Sequence, residues 1–288
     1  MIKKALSYLL FCCLLLCCAA AQADVYVDQD PPEDWQQRDL LRLTVFRTGE
    51  GDAMLLQAGG ECMMIDGGPF KYREKLRDAL IARGIDHFKY LFSTHPHDDH
   101  IDGLRMLMSY DFRVDAFISV FPQSNAYENQ VKAVRVINQK GIPYRQLSDG
   151  ETITLGDATL TVYFWDKGTS INAKSAMTRL EFGGCSALLC ADIIGDTQRH
   201  FLKSLDAEVL KADVVKAPHH GLTPFVTEFL DAVDPGFVWV TNYNNDLVKK
   251  ISGQLRYRGL PFKFSGDGTV YLECDGTDWY IYQTLKQF

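Results

Sequence analysis

Six consecutive residues, His95-Pro96-His97-Asp98-Asp99-His100, constrain this chain more than any other stretch of it. They place five potential metal ligands or proton carriers directly after the apolar, strand-like run Tyr90–Thr94. A strand that ends in a ligand-rich loop holds side chains at fixed separations, and imidazole nitrogen with carboxylate oxygen suits zinc at about 2.0–2.2 Å. Three of the chain's 7 histidines fall within this run, a concentration that an ordinary polar surface turn does not explain. The run predicts a metal site whose remaining donors come from distant segments.

The first residues speak to compartment. Met1-Ile2-Lys3-Lys4 is a basic start, an apolar run follows, and Ala21-Gln22-Ala23 has the small-residue pattern of a cleavage site. This layout predicts a signal peptide over 1–23 and an exported protein, periplasmic or secreted. The run is short for a membrane span, which needs about 20 apolar residues, so no stable span is expected after processing. Cys12, Cys13, Cys17 and Cys18 leave with it, while Cys62, Cys185, Cys190 and Cys274 remain. Cys185 and Cys190 share one strand-like run and stand roughly 16 Å apart at 3.3 Å per residue. A disulfide tolerates less than about 7 Å, so any bridge joins distant segments, through Cys62 or Cys274, with buried free thiols as the alternative.

The remaining residues suffice for one large domain with a substantial core. The formal charge of −7 becomes more negative once Lys3 and Lys4 are lost, which gives no long-range pull on nucleic-acid phosphates. Residues 24–38, with Asp28–Asp34 at their centre, read as a polar leader before a folded domain over 39–288. Strands are expected at 41–47, 53–57, 62–65, 90–94, 114–120, 158–165, 177–182, 187–191, 213–217, 237–241 and 269–273. Helices are expected at 73–83, with Gly84 as the stop, at 104–108, from Tyr127 to before Gly141, and at 224–233 with Thr223 as N-cap. This interleaving predicts two sheets packed together and covered by helices.

Thr94-His95-Pro96-His97-Asp98-Asp99-His100 resembles the T-H-x-H-x-D-H motif of the metallo-β-lactamase superfamily. Asp66 after Met63-Met64-Ile65 resembles that superfamily's first motif, an aspartate at a strand end. Asp192 after Leu188-Leu189-Cys190-Ala191 resembles its metal-bridging aspartate, and Lys216-Ala217-Pro218-His219-His220-Gly221 its final histidine motif. Three further features are similar to the hydrolase domain of the competence DNA-uptake protein ComEC: Thr48-Gly-Glu-Gly-Asp-Ala53, Asn172-Ala-Lys-Ser175 and the double histidine before Gly221. That branch lacks the superfamily's third-motif histidine, and this chain has none between His100 and Asp192. The resemblance implies an α/β fold, an αββα four-layer sandwich, and a free-standing exported hydrolase domain. Zn is the implied cofactor, as one or two ions, with Mn as an option. Two departures stand out. Leu222, followed by Thr223, replaces the serine that commonly follows H-H-G, and Asn242–Leu247 has no histidine where many relatives carry N-x-x-x-H-P.

The residues themselves outline the chemistry. His95 and His97 alternate along an extended turn and can share one ion, Asp99 and His100 face a second, and Asp192 can bridge with its two oxygens. One of His219 and His220 closes the site, and His220 is favoured because it directly precedes the glycine turn. Two ions roughly 3.5–4 Å apart would hold a hydroxide as nucleophile and polarise the scissile bond. Asp99 would orient or protonate as well as bind, so Asp99 and Asp192 are the catalytic candidates. Asp66 is expected to accept hydrogen bonds from ligand imidazoles, or else to cap the Gly67-Gly68 turn. Lys216 and Lys174 are candidates to meet a phosphate oxyanion, with Asn172 and Ser175 as weak donors near the substrate. The expected partner is a small-molecule or phosphodiester substrate, with extracellular DNA or a phosphorylated envelope component in view. Hydrolysis of an ester, lactone or β-lactam by the same centre is the alternative, and a non-catalytic, metal-stabilised binding protein a third reading, because a fold does not fix function.

Overall fold

The computed structural model describes residues 22–124 and 126–288; of the expected signal segment, 1–21 lie outside the described residues. Runs apolar on both faces, such as Met63-Met64-Ile65 and Phe237-Val238-Trp239-Val240, need cover on both sides, and two sheets arise from them. In chain order the first strands are β1 (Asp24–Val27), β2 (Leu41–Val45), β3 (Ala53–Ala58), β4 (Glu61–Gly67), β5 (His87–Ser93), β6 (Arg113–Ser119), β7 (Tyr144–Gln146) and β8 (Glu151–Leu155). Then follow β9 (Ala158–Tyr163), β10 (Met177–Phe182), β11 (Cys185–Leu189), β12 (Val214–Lys216), β13 (Phe237–Val240), β14 (Phe262–Phe264), β15 (Gly268–Cys274) and β16 (Asp278–Leu285). One sheet has the order β1-β16-β15-β2-β3-β4-β5-β6-β7 and the other β14-β13-β12-β11-β10-β9-β8.

Alternate side chains sort into different cores. Met54, Leu56, Met63 and Ile65 point between the sheets and meet Leu160, Leu180, Leu189 and Trp239 of the second sheet. Leu55, Met64 and Leu91 point outward under α1 (Arg73–Ala82), α2 (Asp98–Ser109) and α3 (Glu128–Lys140), against Leu76, Leu80, Leu104 and Ile137. On the far side Leu188, Val215 and Val238 pack under α4 (Gly195–Ser204), α5 (Thr227–Val233) and α6 (Lys249–Tyr257), through Phe201, Phe229 and Ile251. Three apolar layers separate four structural ones, which makes the molecule an αββα sandwich. Parallel pairing runs through β4-β5-β6 and through β11-β12-β13-β14, so each sheet has an edge of strand C-termini from which loops can converge.

Several expectations are corrected. Residues 24–38 are not a leader outside the fold. β1 pairs in parallel with β16, and the buried Trp35 indole donates to Glu273 Oε2 at 2.8 Å. The acidic Asp28–Asp34 stretch conceals these anchors in the sequence. The short helix at 104–108 is the second half of α2, which starts at Asp98 inside the histidine run. The helix expected at 224–233 begins at Thr227 after Val226, and Thr223 does not cap it. Strands β7, β8, β14 and β16 and helices α4 and α6 were not foreseen. Cys185 of β11 is disulfide-bonded to Cys274 of β15, which ties the two sheets together, while Cys62 and the buried Cys190 are free thiols. Among the described residues no helix is long and apolar enough to cross a membrane.

Candidate metal centre

β5 runs through the interior of the first sheet and delivers His95 just past its C-terminal end. Beside it, at the end of β4, Asp66 has a left-handed backbone (φ 52°). Its carboxylate accepts from Thr94 N at 2.9 Å and from Thr94 Oγ1 at 2.6 Å, and lies 2.7 Å from His100 Nδ1. The approach of α2 that makes this possible depends on two glycines. A Cβ on Gly103 would stand 1.8 Å from Gly67 O, and one on Gly67 would stand 2.2 Å from Leu104 N. His97 precedes α2 in extended conformation, and Asp98, Asp99 and His100 form its first turn rather than a loop, where carboxylates complement the helix dipole.

The second sheet supplies the other donors. Asp192 follows β11 through Ala191 (φ 44°), and His219 and His220 follow β12 with φ of 47° and 51°. Non-glycine residues held left-handed cost of order 1–3 kcal/mol each and cluster where structure serves function. Asp66, Ala191, His219 and His220 do so around one point. Ser175 Oγ accepts from Asp192 N at 3.2 Å and donates to Asn172 O at 2.9 Å. Ser175 is thus buried support for Asp192, not the substrate donor expected.

Asp192 lies between two sets of imidazoles. Its Oδ2 is 3.5 Å from His95 Nε2 and 3.8 Å from His219 Nε2, and its Oδ1 is 3.3 Å from His100 Nε2 and 3.2 Å from His220 Nε2. His95 Nε2 faces His97 Nδ1 at 3.1 Å, and His100 Nε2 faces His220 Nε2 at 3.0 Å. Two facing ring nitrogens can share only one proton, and the buried Asp192 Oδ1 has no hydrogen-bond partner. A cation in each gap would engage both lone pairs and the orphaned oxygen, so these residues fit a pair of divalent ions. His95, His97 and Asp192 can hold one ion, and His100, Asp192 and His220 with Asp52 can hold another.

Asp99 competes with Asp52 for the second position. Asp52 Oδ1 faces Nδ1 of His220 at 3.2 Å, and its Oδ2 is 3.9 Å from Nδ1 of His100, the nitrogen that Asp66 already engages. Asp99 Oδ2 faces His220 Nε2 at 3.1 Å, on the side where Asp192 lies. The geometry therefore gives Asp99 the inner position and makes Asp52 a support behind His220, together with Thr241 Oγ1 at 3.0 Å from the same Nδ1. Asp52 carries no role in the sequence reading, although it sits in the Thr48–Ala53 segment. Gly51 (φ 132°) delivers it, since a Cβ there would stand 2.7 Å from Asp99 O.

Lys216 completes this support and does not reach a substrate. It is fully buried, with Nζ 2.9 Å from Asp52 Oδ2 and donating to Ala191 O at 2.9 Å and Ala217 O at 3.1 Å. Burial opposes the charge on Lys216, and Asp52 outweighs it, holding the amine above its ordinary pKa. Burial likewise opposes charge on His100 and His220, yet the carboxylates, Asp192 foremost, hold both imidazoles well above the usual histidine value. Burial pushes His95, His97 and His219 below it. Against its own burial, Asp99 is held well below the usual carboxylate range by His100 and His220.

An open cavity of about 590 Å³ exposes the centre, lined by Glu50, Pro69, Lys71, His97, Asp98, Asp99, Asn172, Asp192 and His219. Lys71 was missed in the sequence because nothing near it forms a motif, and Glu50, although inside the Thr48–Ala53 segment, was given no role there. Asn172 Nδ2 lies 3.1 Å from His219 Nε2. Lys174 instead lines a neighbouring hollow with Phe121, Tyr127 and Phe164. His87 pairs with Asp115, and His200 stacks on Trp165, both outside the site.

An αββα sandwich with clustered histidines and aspartates at its sheet edges defines a class, that of metallo-β-lactamase folds. The sequence model of the Metallo-beta-lactamase superfamily matches residues 47–111. The fold is similar to that of the metallo-beta-lactamase fold protein YhfI from Bacillus subtilis (12% identity, 79% of this chain and 96% of that one, TM-score 0.53). It is also similar to a diphosphatase from the PhnP family (16%, 81% and 98%, TM-score 0.50). A third similar structure is CmlA, a diiron beta-hydroxylase from Streptomyces venezuelae (15%, 81% and 53%, TM-score 0.52). The chain thus spans about half the length of CmlA. No curated protein matches the sequence. The family model covers residues 47–111, and the similar structures, all below 25% identity, show the αββα fold.

Proposed function

We propose that this protein is a two-metal phosphodiesterase acting outside the cytoplasm, with a nuclease-like or small phosphodiester substrate. The observation that carries the reading is the Asp192 carboxylate, with one oxygen toward His95 and the other toward His100 and His220. Bound divalent ions would supply an activated water near neutral pH and charge stabilisation at the scissile phosphoryl group. The chain's own residues do the rest. His95, His97, Asp99, His100, Asp192 and His220 hold and space the ions, while Asp66 and Asp52 fix the rings of His100 and His220 through their Nδ1 atoms. Asn172 and Lys71 on the cavity wall are placed to meet substrate oxygens.

Charge supports an anionic substrate. Glu50, Asp98, Asp99 and Asp192 outweigh Lys71 in the empty wall, and two divalent cations would more than offset them, leaving the cavity attractive to a phosphodiester. The diphosphatase of similar fold provides a precedent for phosphoryl chemistry on this scaffold. Export is supported by the basic-apolar N-terminus and by the disulfide between Cys185 and Cys274, a bond that persists in oxidising compartments. The competence-type branch resemblance narrows the choice toward DNA-like substrates.

The test is a substrate panel with zinc or manganese added. Bis-p-nitrophenyl phosphate should be cleaved and nitrocefin left intact, and His97→Ala should lose that cleavage together with metal uptake. Cleavage of nitrocefin or of simple esters without phosphodiester turnover would replace this reading by the alternative one.

A further inference from the structure

The geometry points to His219 and His220 serving different ions: His220 the one shared with Asp99 and His100, His219 the one shared with His95 and His97. This rests on the two-metal reading above and adds a donor to its first position. That position otherwise has His95, His97 and one oxygen of Asp192, three protein donors that with a water make the usual four of a catalytic zinc. His219 would be a further protein donor there, and no histidine lies between His100 and Asp192 to take that place. His219 Nε2 stands 3.8 Å from Asp192 Oδ2, the same oxygen that His95 Nε2 meets at 3.5 Å. His220 Nε2 instead stands 3.2 Å from Oδ1. The carboxylate therefore separates the two neighbouring histidines as it separates the two ions.

The backbone explains how adjacent residues reach both sides. His219 (φ 47°, ψ 52°) and His220 (φ 51°, ψ 23°) are both left-handed, and this turn leaves their ring centroids 5.9 Å apart at 59°. Outside glycine such geometry is costly. The ring of His219 is also prepared for ligation. Nδ1 lies 3.1 Å from Thr223 Oγ1, and a proton donated there leaves the Nε2 lone pair facing the cavity. Asn172 Nδ2 occupies that lone pair at 3.1 Å, while Asn172 Oδ1 has no partner; an ion would displace this contact. As its ring stands, His219 lies outside the donor group of His95, His97 and Asp192. With 26% side-chain exposure against 1% for His220, it is the less enclosed of the two and must turn to join that group.

The experiment is a Co²⁺ titration of the purified, chelator-stripped protein, followed by its visible absorption and by elemental analysis. Asparagine tolerates the left-handed backbone, so His219→Asn and His220→Asn remove the imidazoles with little strain; His219→Gln is the second variant, and unfolding midpoints of the stripped proteins check the fold. The wild type should bind two ions. His219→Asn should weaken one by more than about 100-fold, beyond the ~10–100-fold typical of outer-shell losses. In a His97→Asn background, which keeps only the other ion, His219→Asn should change affinity less than about twofold while His220→Asn abolishes binding. A wild type that takes one ion, or a His219 variant that weakens the ion retained in the His97→Asn background, would overturn the inference. Failure on phosphodiester substrates would leave this titration untouched.

Discussion

At the scale of single residues, the centre depends on a buried charge that stands behind the ring of His220. Asp52 is flanked by Lys216 at 2.9 Å and by His220 Nδ1 at 3.2 Å. Burial opposes its ionisation, and these neighbours hold its carboxyl far below the usual range. Asp52→Asn would leave the ammonium of Lys216 buried without its counter-charge, a loss of about 3–5 kcal/mol, measurable by urea unfolding of the metal-free protein. Freeing the His220 ring should also weaken the second ion by about 10–100-fold. The double variant Asp52→Asn/Lys216→Met should recover much of the stability and none of the metal affinity; recovery of both would deny Asp52 its positioning role. The sequence marks His95, His97, Asp99, His100, Asp192 and His220 because ligand residues stand in dense runs or at strand ends. It does not mark Asp52, whose function comes from a lysine 164 positions away, nor can it place Lys216 and Ser175, polar residues whose burial depends on tertiary packing.

At the scale of elements, the contact of α2 with β4 fixes the spacing of the site. Gly103 and Gly67 touch through their backbones, and Gly103 N donates to Gly68 O at 2.9 Å. Gly103→Ala would force a methyl group into Gly67 O, where the available distance is 1.8 Å, and α2 must move off the sheet. Overpacking commonly costs 1–3 kcal/mol, and a clash with backbone that cannot yield should cost about 3 kcal/mol or more. The same shift draws His100 from Asp66, so metal affinity should fall with stability; an unchanged melting temperature with intact metal uptake would refute the coupling. The element itself is only half legible in sequence. Leu104 and Leu107 carry the apolar helical period, but Asp98-Asp99-His100 has none, and a helix start there requires knowing that His97 is extended. The strands β3, β4 and β10 are read closely because their alternating or continuous apolar runs end at Gly, Asp or turn residues. β16, with Asp, Gln and Thr among its aromatics, gives a weaker signal, and the buried faces of α4 (Thr197, Gln198, Phe201) and α6 (Ile251, Ser252, Leu255) mix polar with apolar residues.

At the scale of the whole molecule, the site exists only while the two sheets stay in register, since His95, Asp99 and His100 come from one and Asp192, His219 and His220 from the other. The apolar layer between the sheets does most of this work, and the Cys185–Cys274 bond adds a covalent tie between β11 and β15 across 89 residues. In the chain-entropy account a loop of that length stabilises by up to about 4.6 kcal/mol. Cys274→Ser should therefore lower the unfolding free energy by several kcal/mol, read from denaturant midpoints of the metal-free protein. Metal binds the joined sheets and not the unfolded chain, so saturating ions should restore part of the lost melting temperature in the variant. A thiol count under denaturing conditions separates the cases: the native chain should show Cys62 and Cys190 free and nothing more from the described residues, with two additional thiols appearing only after reduction. Cys190, its thiol pushed by burial up to about 12, should stay unmodified until the second sheet unfolds. If reduction changed neither midpoint nor metal affinity, the packed apolar layer alone would be holding the two halves of the centre together.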